Sequence, residues 1–154
     1  MSAPISVKVK KLPHYDEALP LPRYETPGSA GADLRASLPD RKPLEIPPQK
    51  RVLVPTGLAF EMIPGHEIQV RPRSGLALKS PLFWCNAPGT IDSDYRGEIK
   101  IILANLSTET YFIEHGERIA QMVVSPVPRA RFEVVSTLSP SQRGEAGFGS
   151  TGRT

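Results

Sequence analysis

The chain has 154 residues, within the usual span of a single domain and long enough to bury a core. Hydrophobic residues make up 39% and charged residues 23%, and no apolar run approaches the roughly 18 residues of a spanning helix, so the chain reads as soluble. Nineteen Lys and Arg against 16 Asp and Glu leave a charge of +3, which suits a small anionic ligand better than a DNA duplex, where a massed basic stripe is expected.

The first residues, MSAPISVKVKKL, lack the continuous apolar stretch of a secretory signal, so the cytoplasm is the expected location. The 17 prolines recur from Pro4 to Pro88 at intervals that leave little room for a helix interior, because each lacks an N–H and clashes with the preceding turn. In chain order, ISVKVKKL, LEIPPQKRVLVPTGLAF and HEIQVRPR read as strands. SGLALKS reads as one short helix, with Ser74 as its cap and Pro81 preventing extension. The segment NAPGTIDSDYRGEIKIILAN, with turn residues at Ala87 to Gly89 and Arg96-Gly97 before an apolar run, reads as a long β-hairpin. TYFI, RIAQMVV and ARFEVVS complete a many-stranded antiparallel, all-β protein. Pro126 and Pro128 form a stiff pair that can direct ARFEVVS away from its own barrel, which makes strand exchange between subunits possible. The glycine-rich tail SQRGEAGFGSTGRT has no apolar periodicity and is expected to be mobile.

Several groups could carry chemistry, each with a bland alternative. In QVRPRSGLALK, Arg73 offers a charge-assisted fork, while Ser74 and Gly75 open the short helix with exposed amides, an arrangement suited to phosphate; a polar strand end followed by an ordinary capped turn is the favoured reading of these residues taken alone. Asp92 can act as a general base and Tyr95 can present a flat surface to a sugar or base, although acids beside Gly and Pro commonly cap turns. Asp33 lies where a loop enters a strand, which favours turn capping. Gln121 interrupts apolar neighbours and faces either a ligand or the sheet backbone. In the tail, Arg143, Phe148, Ser150 and Thr151 alternate with glycines, so an aromatic could stack on a planar ligand while amides hold phosphates. His14, His66 and His115 are dispersed, with no HExxH spacing, and read as surface residues. Cys85 is the only cysteine, which excludes an intrachain disulfide; beside Trp84 it reads as a buried structural thiol, and no G-x-S-x-G elbow offers a nucleophile.

The order of these segments is more specific than any one of them. AGADLRA, RPRSGLALK, NAPGTIDSDYRGEIK, RIAQMVV and RGEAGFGST together resemble the five motifs of the trimeric dUTP diphosphatases (dUTPases), from Ala30 to Thr151. The resemblance implies a jelly-roll-like antiparallel β-barrel of the β-clip type with one short helix. It also implies a homotrimer whose active sites are shared between chains, with C-terminal strand exchange. The barrel, including the exchanged strand, would occupy 1–138 and a flexible lid 139–154.

The implied activity is hydrolysis of dUTP to dUMP and pyrophosphate, which keeps uracil out of DNA and supplies dUMP for thymidylate synthesis. By the same resemblance Asp92 is the general base, and Tyr95 packs against the deoxyribose. Asn86 and the backbone near Thr90, Ile91 and Lys100 surround uracil. Arg73, Ser74, Gly75 and Gln121 hold the phosphates, and Asp33 reaches a phosphate-bound Mg²⁺ through water. The tail closes as a lid, with Phe148 over uracil and Arg143, Gly149, Ser150 and Thr151 on phosphates. The dCTP deaminases share the fold, but Tyr95 in DSDYRG argues against that activity. A non-catalytic nucleotide-binding regulator is disfavoured by the presence of base, phosphate donors and lid together.

Overall fold

A computed structural model of the chain describes residues 4–146. Its strands are β1 (Val7–Lys11), β2 (Ala32–Arg35), β3 (Leu44–Ile46), β4 (Arg51–Met62), β5 (His66–Arg71), β6 (Leu82–Trp84), β7 (Gly89–Ile91), β8 (Glu98–Asn105), β9 (Tyr111–Ile113) and β10 (Arg118–Pro126), with one helix, α1 (Ser74–Lys79). They pair antiparallel in three sheets, ordered β1-β4-β8-β6, β2-β10-β5-β7 and β3-β9. The expected all-β antiparallel architecture with a single short helix is what forms.

The core follows from period-two alternation. In β8, Ile99, Ile101, Leu103 and Asn105 point inward and are buried, while Lys100, Ile102 and Ala104 line the opposite face. Ile68 of β5, Val54 of β4 and Ile119 of β10 meet them from neighbouring strands. Trp84 closes the core and donates its indole N–H to the Ile119 carbonyl at 3.0 Å. Asn105 is tolerated there because its amide donates to the Ile46 and Glu109 carbonyls and accepts from the Ser107 N–H.

Two irregularities set the site. β4 shifts register against β8 between Pro55 and Ala59. Gly57 sits within that bulge at φ +69°, where a Cβ would stand 2.9 Å from the Tyr15 Cα, so only glycine fits. β10 shifts against β2 between Arg118 and Ala120. That bulge brings Gln121 opposite both Asp33 of β2 and Arg71 of β5, one row across three strands.

Three expectations are corrected. The segment around Asp92 is not a hairpin: β7 pairs only with β5, and β8 with β4 and β6, so the Asp92–Gly97 bend carries the chain from one sheet to another. Ser74 does not cap α1; it is the first helical residue, Arg73 stands in the cap position, and no side chain caps the end. ARFEVVS pairs with no strand among the described residues: beyond Val127, whose N–H still donates to the Gly65 carbonyl at 2.8 Å, the chain leaves the body, with Phe132 94% and Leu138 86% exposed.

The histidines also differ from expectation, since none is freely exposed. His115 accepts from the Leu38 N–H through Nδ1 and therefore donates through Nε2 to Asp16 at 2.9 Å. The Ala18 N–H, His115 and Arg41 hold the Asp16 carboxyl below its usual value. A carboxylate depressed in the folded state adds stability above its unfolded pKa of about 4, and that stability is lost as pH falls through the lower folded value. Thermal midpoints measured from pH 6 to pH 3 should therefore fall more steeply for the native chain than for Asp16→Asn; equal slopes would contradict this linkage.

Candidate active site

The Asp92–Gly97 bend is a tight turn that closes on itself. The Tyr95 N–H donates to the Asp92 carbonyl at 3.1 Å, and Arg96 Nη1 donates to the Ser93 and Tyr95 carbonyls at 2.8 and 3.1 Å. Glu61 of β4, whose carboxyl is held below its usual value chiefly by Lys8, lies 3.9 Å from Arg96 and ties the turn to the sheet. The Tyr95 hydroxyl donates to the Glu98 carbonyl at 3.2 Å, and its ring crosses Gly97, where a Cβ would stand 2.3 Å from the hydroxyl oxygen.

The turn and the outward face of β8 form an open cleft of about 390 Å³ containing Thr90, Ile91, Asp92, Tyr95 and Lys100, with Leu53 and Ile102 as apolar wall. Leu53 and Ile102 are paired across β4 and β8, which explains why an exposed leucine stands there. The Asp92 side chain is exposed, and no donor among the described residues holds its carboxylate. Five residues singled out from the sequence thus share one cleft. Asn86 does not line it and stands beside Gly89 instead, its Nδ2 3.2 Å from where a Cβ would be.

A second cleft, about 300 Å³, gathers Asp33, Arg73, Ser74, Gly75 and Gln121. Asp33 is not a turn cap: one carboxylate oxygen accepts from Arg73 Nε at 2.7 Å and the other from Arg118 Nη1 at 3.1 Å. Gln121 donates to the Pro72 carbonyl at 2.9 Å, and Gly31 leaves it room, because a Cβ there would stand 2.3 Å from Gln121 Oε1. The Arg73 guanidinium and the start of α1 thus border this cleft beside the Asp33 carboxylate. The two clefts share no lining residue. Among the described residues, no three His, Cys, Asp or Glu side chains converge to hold a metal.

Cys85 is half-buried rather than buried. Arg143 is exposed and, among the described residues, donates to the nearby Ala146 carbonyl at 2.8 Å. Phe148, Gly149, Ser150 and Thr151 lie outside the described residues. Sequence reasoning passed over Arg118, Glu98 and Gly31, whose contacts join distant segments, and Gly97, whose contact with the Tyr95 ring depends on how the turn folds. No helix among the described residues is long and apolar enough to cross a membrane.

Comparison with known proteins gives these clefts a family. The dUTPase family model matches residues 17–152. Over 136 residues the chain is 57% identical to a deoxyuridine 5'-triphosphate nucleotidohydrolase of Rhizobium etli, covering 88% of this chain and 87% of that protein. It is 53% identical over 150 residues to one from Anaeromyxobacter sp., covering 97% and 99%. Its fold superposes on the dUTPase of Staphylococcus bacteriophage 80alpha, solved with dUPNHPP, at a TM-score of 0.84 and 26% identity, covering 96% and 99% of the two chains. Match and likeness both run nearly end to end, through both clefts, and the chain belongs to the dUTPase family.

Proposed function

We infer that this chain is a dUTP diphosphatase, hydrolysing dUTP to dUMP and pyrophosphate. The observation that carries the residue assignments is the convergence of Thr90, Ile91, Asp92, Tyr95 and Lys100 on one cleft, with a separate cleft around Arg73. Asp92 accepts a proton from water as the water attacks the α-phosphorus; the bond from that phosphorus to the bridging oxygen breaks, and pyrophosphate leaves. An exposed carboxylate with no donor among the described residues is free to do this. The backbone of Thr90, Ile91 and Lys100 reads uracil, Asn86 supports β7 from beside Gly89, and Tyr95 fills the space a 2′-hydroxyl would need.

Arg73, Ser74, Gly75 and Gln121 bind the phosphate chain. The donor set fits a cation carried by substrate phosphates rather than a protein cage. Each Asp33 oxygen is engaged by one arginine and retains lone-pair capacity for a metal-bound water. Mg²⁺ bound there supplies neutralising charge to the phosphates.

Two observations support a homotrimer with shared sites: the base-reading and phosphate-binding clefts are separate on one chain, and the arm beyond Pro126 presents bare apolar residues such as Phe132 and Val134. We propose that the arm packs on a neighbouring chain, that residues 1–138 form the body and exchanged strand, and that residues 139–154 act as the lid. Arg143, Phe148, Gly149 and Ser150 would then complete the site over bound dUTP. A site for free nucleoside triphosphate and a free Cys85 thiol both suit the cytoplasm.

Gly97→Ala tests the sugar-side assignment. The new methyl displaces the Tyr95 ring, and KM for dUTP is expected to rise ~10-fold with little change in thermal midpoint. An unchanged KM would remove Tyr95 from the binding surface.

A further inference from the structure

The carboxylate of Glu98 is nearly buried in the wall of the Asp92 cleft, its side chain 10% exposed. Oε1 accepts the Gly57 N–H at 2.9 Å and lies 2.8 Å from His14 Nε2, while Oε2 lies 3.5 Å from Lys100 Nζ. These partners come from three places: the loop after β1, the bulge of β4 and the next outward position of β8. Burying a carboxylate is costly unless its charge is matched and its oxygens are hydrogen-bonded; here Oε1 takes two partners in Gly57 and His14, and Lys100 supplies the matching charge beside Oε2. Gly57 cannot shift to follow a displaced partner, because its backbone lies in the left-handed region against Tyr15.

The same residue holds Tyr95 through its main chain, since the Tyr95 hydroxyl donates to the Glu98 carbonyl at 3.2 Å. The first residue of β8 is thus fastened by its side chain to the bulge and by its backbone to the tyrosine ring. We propose that Glu98 is a positioning residue that fixes the Tyr95 ring against the sugar and thereby sets discrimination against a 2′-hydroxyl. This rests on the reading of Tyr95 given above. Steric rejection of an added hydroxyl amounts to about 100-fold and depends on the wall staying in place. Releasing Glu98 lets the start of β8, and the ring with it, move away from the sugar.

The test compares kcat/KM for dUTP and for UTP in the native enzyme and in Glu98→Gln, Glu98→Ala and Tyr95→Ala, with thermal unfolding of each. Tyr95→Ala should bring the dUTP-to-UTP ratio close to one. Glu98→Ala should lower the ratio ~10-fold. Glu98→Gln keeps an acceptor for Gly57 but sets an amide against Lys100, and should lower it ~3-fold. A purely structural residue would reduce the folded fraction, scale both substrates alike and leave the ratio untouched. If Glu98→Ala does not fold, Glu98→Gln decides. Unchanged ratios in the Glu98 variants beside a collapsed ratio in Tyr95→Ala overturn the role of Glu98 alone. An unchanged ratio in Tyr95→Ala overturns the reading of Tyr95 and the role of Glu98 with it.

Discussion

Replacing Asp92 with Asn is expected to lower kcat for dUTP on the order of 1,000-fold while leaving binding of a non-hydrolysable dUTP analogue within about twofold. Asn keeps the shape of the side chain and removes its capacity to take a proton. The turn that carries Asp92 is held by main-chain and Arg96 contacts, none of which uses the Asp92 carboxylate, so the variant should fold and bind as before. Pyrophosphate release and calorimetric titration with the analogue separate the two effects. Loss of binding together with turnover would make Asp92 a structural residue of the turn.

Deleting Arg143 to Thr154 is expected to reduce turnover about 100-fold or more while stability stays within about 0.5 kcal/mol. Among the described residues, 139–146 are exposed, and their contacts are local, such as the Gly144 N–H to Ser141 Oγ at 3.0 Å. Nothing in the core leans on them. The proposed lid functions, aromatic cover and phosphate donors, belong to this segment and would vanish with it. A truncated enzyme with native turnover would refute the lid; one that unfolds at lower temperature would show that the tail supports the body.

The all-β character was legible because prolines exclude helix interiors up to Pro88 and β-branched residues fill IKIILANL and RIAQMVV. Pairing was not legible. Nothing local tells that Gly89 to Ile91 joins His66 to Arg71 while Glu98 to Asn105 joins Arg51 to Met62, because register is a property of two distant segments. The same limit hid the partners of Asp33: its loop position suggested capping, whereas a bulge in β10 and the cap position of α1 deliver Arg118 and Arg73 to it. ARFEVVS has the alternation of a strand, and that local signal does not tell whether its own chain offers an edge to pair with; it pairs with none among the described residues. Asp92 and Tyr95 stood out in the sequence because they lie in one turn flanked by Gly and Pro, whereas Thr90, Ile91 and Lys100 entered only through the family resemblance. Glu98 was passed over since its importance depends on Gly57 and His14, 41 and 84 residues away.

The most direct test of the central claim is pyrophosphate release from dUTP, with dCTP, dTTP and UTP in parallel, each with Mg²⁺ and with chelator. Turnover of dUTP alone, lost with chelator, is the predicted result. Ammonia release from dCTP, or no hydrolysis of dUTP by a folded chain that binds it, would contradict the assignment.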